Sequence, residues 1–150
     1  GCVEDDRRRG RRRPGVGVGT DGGPAAVGGP LSDRLVHPRS YGTYAKILGR
    51  YVRELGDISL EEAVRKATSL PAQRLGIRDR GTLREGAWAD IVIFDPETVG
   101  DNATYEDPHR LSTGVRHVLV NGVPVVTDGQ HTGALPGRPV HGPGWTGRVR

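Results

Sequence analysis

Methionine is missing from all 150 residues, the initiator position included. Processing removes an initiator but does not empty an interior, so the expectation is a chain that starts downstream of its natural beginning. Cysteine is nearly absent. Cys2 stands alone, which excludes an internal disulfide and fits a reducing compartment. Aromatic residues make up 5% and do not interleave with the basic residues, so a base-stacking platform for nucleic acid is not built in. No apolar run approaches the roughly 18 residues of a membrane span, and no signal-peptide core is present. The expectation is a soluble, cytoplasmic protein with no membrane partner. Metal-binding spacing is lacking around His109, His117, His131 and His141: there is no H-x-H, no H-E-x-x-H and no Cys/His cluster.

Arginine, glycine and proline are abundant instead. With 24 Gly, 11 Pro, 34% hydrophobic residues and a mean hydropathy of −0.51, the chain is rich in turns and thin in core material. Of its 22 basic residues only Lys46 and Lys66 are lysines, and the net charge is +4. Much of that excess lies in Arg7-Arg-Arg-Gly-Arg-Arg-Arg13. Such a block is ordinarily solvated. A nucleic-acid tail and an Arg-heavy coding bias both produce it, and the bias carries more weight, so no specific nucleic-acid partner is expected.

Along the chain, Val16-Gly-Val-Gly-Thr20 reads as a short strand, followed by a Gly/Pro-rich loop to about Val36. Residues 43–55 predict a helix, because Tyr44, Ile47, Leu48, Tyr51, Val52 and Leu55 fall on one 3.6-residue face, with Gly56 at its left-handed end. Ser59-Leu-Glu-Glu62 predicts a reciprocal capping box for the next helix. Pro71 suits the first position of a short helical turn closing at Gly76. The character then changes to β. Ala89 to Phe94 is a compact strand, and Val115–Val120 and Val123–Val126 flank Asn121-Gly122, a strong hairpin signal. Pro124 places its strand at an edge or a bulge, and His117 alternates with Val115 and Leu119 as a packing residue. There are no internal repeats.

Two places could carry chemistry. Asp21 directly follows an apolar strand and precedes Gly22-Gly23. Alone, Asp-Gly after a strand is turn chemistry; at the C-terminal end of a barrel strand it is where catalytic groups stand. In His37-Pro-Arg39, Arg39 offers a planar fork that fits a carboxylate, while a lone His before Pro reads as a surface or packing residue.

The stretch Thr68-Ser-Leu-Pro-Ala-Gln-Arg-Leu-Gly-Ile-Arg-Asp-Arg-Gly-Thr-Leu-Arg-Glu-Gly-Ala-Trp-Ala-Asp-Ile-Val-Ile-Phe-Asp-Pro96 resembles the segment of amidohydrolase-superfamily enzymes where the last barrel helix hands over to a small β domain. Together with His37-Pro-Arg-Ser-Tyr-Gly-Thr-Tyr44 and Gly19-Thr-Asp-Gly22, it makes residues from about 16 to 139 similar to the C-terminal part of the N-acyl-D-amino-acid deacylase (D-aminoacylase) family. The resemblance implies an α/β fold: the last strand and helices of a (β/α)₈ barrel over 15–80, then part of a small β-sandwich domain over 81–140. Residues 1–14 would precede them as a basic low-complexity segment, with Glu4-Asp-Asp6 as the acidic start of a barrel helix. The Arg run after it fits a tail, a divergent helix and an altered reading frame alike. Residues 141–150 would form a disordered tail.

A full barrel takes roughly 250 residues, so the resemblance also implies an incomplete chain, inactive alone. It implies zinc as cofactor, with Asp21 as a metal ligand and as the catalytic group exchanging protons with metal-bound water, whose pKa zinc lowers to about 7. The remaining ligands would lie upstream. Arg39 would bind the substrate carboxylate, with His37 and Tyr41 beside it, and Asp79, Arg80 and Asp90 would be structural. The partner would be a small N-acyl-D-amino acid, hydrolysed to a carboxylate and a D-amino acid. Two alternatives stay open: another superfamily enzyme acting on a cyclic amide or as a deaminase, and an Arg-rich nucleic-acid-binding protein. The His37–Thr43 motif favours the deacylases, because the downstream segment is shared widely.

Overall fold

The computed structural model describes residues 8–23 and 36–147. Cys2, Glu4-Asp-Asp6, most of the Gly/Pro loop and the last three residues of the expected tail lie outside the described residues.

Pro38 opens the helix that starts at Arg39, its constrained φ at −51° already suited to a helical start. Its carbonyl accepts the Gly42 amide at 3.1 Å. Helix α1 therefore begins a turn earlier than the apolar stripe predicts and spans Arg39–Lys46. It continues as a wider π-helical segment over Ile47–Glu54, where the Leu55 amide donates to the Arg50 carbonyl at 2.9 Å. Gly56 ends it at φ +58°, the expected left-handed position.

Helix α2, Leu60–Ala67, is capped by Ser59, whose hydroxyl accepts the Glu62 amide at 3.2 Å. The returning half of the predicted box is replaced. The Glu62 carboxylate takes the Arg65 fork at 2.7 and 2.9 Å, a charge-assisted, two-pronged partner stronger than a neutral amide. Helix α3 spans Ser69–Arg74. Pro71 lies inside its first turn, where a missing N–H leaves no bond unmade.

The predicted strand Val16–Thr20 forms no ladder among the described residues. An extended segment needs a strand beside it to satisfy its backbone, and here lysine does part of that work. Lys66 is 2% exposed; its ammonium donates to the Val16 carbonyl at 2.8 Å and to the Arg13 carbonyl, while its own carbonyl accepts the Val18 amide at 3.4 Å.

Residues 8–12 are helical, with Arg8, Arg9 and Arg12 exposed and Arg11 half-buried. The reason is an internal anion. Asp57 is 4% exposed, with Arg8 Nε at 2.5 Å and Arg11 Nη2 at 2.8 Å from its carboxylate. Arg12 donates to its carbonyl at 3.1 Å, and the Arg11 guanidinium stacks 3.9 Å over the Tyr51 ring. Burial alone would push the Asp57 carboxyl up. The Arg11 hydrogen bond and the charges of Arg8, Arg11 and Arg12 outweigh it and hold the group below its ordinary value.

The second half is an antiparallel sheet in the order β1–β2–β3–β4, comprising Ile91–Phe94, Val115–Val120, Val123–Thr127 and Gln130–His131. Strand β1 is shorter than predicted because residues 89 and 90 serve the hairpin turn. The Ala89 carbonyl accepts the Gly122 amide at 2.9 Å, and the Asp90 carboxylate accepts the Asn121 amide at 2.8 Å. Asn121 and Gly122 have φ of 50° and 82°, the two positive values a type I′ turn demands. Pro124 sits at a bulge, where the register steps from Val118↔Val126 to Leu119↔Pro124, so its missing donor interrupts no ladder bond. His117 is half-buried, its Nε2 3.7 Å from the Asp128 carboxylate. Among the described residues no helix is long and apolar enough to cross a membrane.

The folded Asp57 carboxyl titrates below its unfolded value, so its stabilisation is complete above about pH 4 and is lost as the pH falls through the folded value. Asp57→Asn is therefore expected to lower the unfolding free energy by about 1–3 kcal/mol at neutral pH. The gap to the parent chain should close in acid. Urea titrations followed by tryptophan fluorescence at the two pH values check this.

Candidate functional site

The turn at residues 20–22 and the first turn of α1 meet at an ion pair. Arg39 Nη1 lies 2.8 Å from Asp21 Oδ2. Asp21 adopts φ +49°, a left-handed conformation that Asp tolerates better than most residues. The Thr20 hydroxyl accepts the Gly22 amide at 3.3 Å and tightens the same turn. The Asp21 side chain is 92% exposed and that of Arg39 39%, so solvent screens the pair and it adds little stability. A competing carboxylate could take the guanidinium with little loss.

His37 stands beside this pair. Its Nδ1 accepts the Arg39 amide at 3.0 Å, and its Nε2 lies 3.1 Å from the Tyr105 hydroxyl. His37 and Arg39 line a cavity of about 590 Å³ between residues 16–19, helix α1 and the loop 101–106, with Lys46, Asp101 and Tyr105 on its wall. Tyr41 faces the other way. It lines a separate cavity of about 210 Å³ with Val99, Ser112 and Val115, its ring edge-on to His109 at 5.5 Å. Its carbonyl accepts the Ser112 hydroxyl at 3.2 Å. The fold thus gathers Asp21, Arg39 and His37 and leaves Tyr41 towards the sheet, with Arg39 reaching both cavities.

Two residues at this site escaped the sequence reading. Asp101 lies against Gly42: a Cβ there would stand 1.8 Å from its Oδ1. The same oxygen accepts the Ala103 amide at 3.0 Å, and Lys46 Nζ is 4.0 Å from its partner oxygen. Gly42 lay outside the predicted helix 43–55, so the packing reason that a glycine inside a helix implies could not be read there. Tyr105 gave no periodic signal, because it sits in an irregular loop.

Residues 16–126 match the family model described as the amidohydrolase family. The chain belongs to that family. It is 50% identical over 108 residues to the N-acyl-D-glutamate deacylase of Alcaligenes xylosoxydans xylosoxydans, covering 72% of this chain and 21% of the relative. To the D-aminoacylase of the same organism it is 46% identical over 118 residues, 77% of this chain and 24% of that one. A solved N-acyl-D-glutamate deacylase from Bordetella bronchiseptica superposes with a TM-score of 0.73 at 43% identity, covering 85% of this chain and 26% of that chain. That protein was complexed with zinc and a phosphonate inhibitor that mimics the tetrahedral intermediate. The chain therefore spans about a quarter of the length of these amidohydrolases, as a mixed segment of helices and antiparallel sheet.

The donor set of this segment does not fit a zinc ion by itself. No group of three or more His, Cys, Asp or Glu side chains converges among the described residues, and Asp21 brings a single carboxylate already engaged by Arg39.

Replacing glycine by alanine inside a helix ordinarily stabilises by roughly 0.5–1 kcal/mol. At Gly42 the sign should reverse, because the new methyl meets Asp101: a loss of about 1–3 kcal/mol is expected. Adding Asp101→Ala to Gly42→Ala should restore most of it. Thermal unfolding of the single and double variants checks this; a stabilised Gly42→Ala chain would mean that the loop does not rest on α1.

Proposed function

We propose that this chain is the C-terminal part of a zinc-dependent N-acyl-D-amino-acid deacylase. In this reading residues 15–80 are the last strand and helices of a (β/α)₈ barrel, and residues 81–140 are part of a small β-sandwich domain. The observation that carries it is the Arg39 guanidinium, which holds a carboxylate at 2.8 Å beside an open cavity, in a segment up to 50% identical to such deacylases. An N-acyl amino acid presents a carboxylate, and a planar two-pronged donor is the side chain that grips it with orientation.

The chemistry is hydrolysis of the amide: water adds to the acyl carbon, the C–N bond breaks, and the amine leaves with a proton. Arg39 takes the substrate carboxylate in place of Asp21, which fixes the amino-acid end, and with it the scissile amide, relative to the turn at residues 20–22. Asp21, released from the fork, is the base for the water's proton. His37 supports Arg39 through its backbone, and Tyr41 lines the sheet-side cavity that Arg39 also reaches. Zinc belongs to this reading as the metal of the solved relative; this chain would offer it one carboxylate. A cytoplasmic location belongs to it too, in keeping with the single cysteine. The nucleic-acid reading is the weaker one, since Arg8, Arg11 and Arg12 of the basic run are engaged by Asp57 and its carbonyl.

The purified chain is expected to show no turnover of N-acetyl-D-glutamate with added zinc, measured by release of the free amine. In an active deacylase carrying these motifs, the counterpart of Asp21→Asn should lower kcat severely with little change in KM. The counterpart of Arg39→Ala should chiefly raise KM, by the roughly 1.5–3 kcal/mol of a charge-assisted hydrogen bond, and lysine should restore only part. Equal damage towards an uncharged amide analogue would show that Arg39 is structural and sink the assignment.

A further inference from the structure

We propose that Tyr105 is a positioning residue for Arg39, acting through the imidazole of His37; the substrate side of this rests on the deacylase reading. The direction of the hydrogen bonds follows from one group that cannot reverse. The backbone N–H of Arg39 can only donate, and it points at His37 Nδ1 at 3.0 Å. Nδ1 therefore carries no proton, and the proton of the neutral ring is on Nε2. Nε2 then donates to the Tyr105 oxygen at 3.1 Å, which leaves the phenolic proton free for another acceptor at the cavity they share.

The Arg39 amide needs this partner. It is one of the first N–H groups of α1, which no helical carbonyl can reach, and the N-cap residue, Pro38, makes no side-chain cap. The imidazole of His37 supplies the cap from one residue further out. What holds the imidazole is Tyr105, its ring set at 77° and 5.1 Å to that of His37. Tyr105 is 74% exposed, so burial does not hold it; its loop does. The Thr104 amide donates to the Asp107 carbonyl at 3.1 Å, and the Asp107 amide donates back to the Thr104 hydroxyl at 3.0 Å. Asp101 anchors the same loop on Gly42. A line of fixed contacts thus runs from the loop after the sheet's first strand to the residue that grips a carboxylate.

Tyr105→Phe removes one oxygen and keeps the ring. The test is a long-range proton–nitrogen spectrum of the imidazoles in the ¹⁵N-labelled chain, taken where histidine is neutral, together with the Arg39 Nε–H signal during titration with N-acetyl-D-glutamate. In the parent chain His37 should show the single Nε2–H form. In Tyr105→Phe its two nitrogens should move towards the averaged values of free imidazole, and the ligand should bind about 2- to 10-fold more weakly, as expected for one lost neutral hydrogen bond. His37 signals unchanged by Tyr105→Phe would overturn the proposal. So would collapse of the β2–β3 amide signals, which would make Tyr105 a folding residue. A parent chain whose Arg39 ignores the ligand would instead overturn the assignment of Arg39 to the substrate carboxylate, while the imidazole comparison still decides the role of Tyr105.

Discussion

The backbone between Val99 and Asp101 lies directly on helix α1, and the arrangement of both halves depends on that contact. It is possible only because two side chains are missing. A Cβ on Gly49 would stand 2.8 Å from the Val99 carbonyl, and one on Gly42 would overlap Asp101. Arg53, a turn after Gly49, closes the contact by donating to the Pro96 and Val99 carbonyls at 2.9 and 2.7 Å. Val99 is 1% exposed as a result; the other buried apolar residues among the described ones are three alanines and one leucine. With so little hydrophobic volume available, backbone proximity and guanidinium bonds take over much of the work that large side chains do elsewhere. The loop 101–107 inherits its position from this contact, and so does everything it touches at the start of α1.

Arginine's dominance over lysine acquires a physical meaning here. Arg80 reaches Asp90 and the Asn121 side chain at once and lies 5.2 Å over the Trp88 ring. One planar group thus ties the loop before β1 to the β2–β3 turn, a task a point-like ammonium could not share out. Burial would raise the Asp90 carboxyl, but the Asn121 amide and Arg80 bring it below its ordinary value. Lys66 does the opposite job. Its compact charge sits in a buried space ringed by two carbonyls and, at 3.6 Å, the Glu62 carboxylate.

What could be read in the sequence was local. A helix over 43–54, the Ser59 cap, Gly56 and the Asn121-Gly122 turn each depend on residues within a few positions of one another, and each is present; the apolar stripe itself is not the buried face, which is Gly42, Ala45 and Gly49. The site residues were legible by type, since Asp21 and Arg39 were chosen for their chemistry. Their mutual ion pair was not, because nothing in either neighbourhood encodes contact across 18 positions. The same limit explains the strand expected at Val16–Thr20: alternation marks extended backbone, whereas a ladder needs a partner that local pattern does not supply. The docking of Arg8 and Arg11 on Asp57 was hidden for the same reason, the charges being more than forty residues from the anion they serve. Ala89 and Asp90 looked like strand by composition but were drawn off to the hairpin turn.

Strand β1 pairs with β2 on one side, and its other side meets no strand among the described residues. It carries Val92 and Ile93 at 56% and 48% exposure. A short run of unpaired amides and carbonyls with β-branched side chains is a template onto which another chain can grow, and no lysine or proline lies within its four residues to blunt it. That margin is therefore unguarded in a way the charged face is not: a net charge of +4 keeps copies apart at a distance but offers no steric guard once two such margins meet.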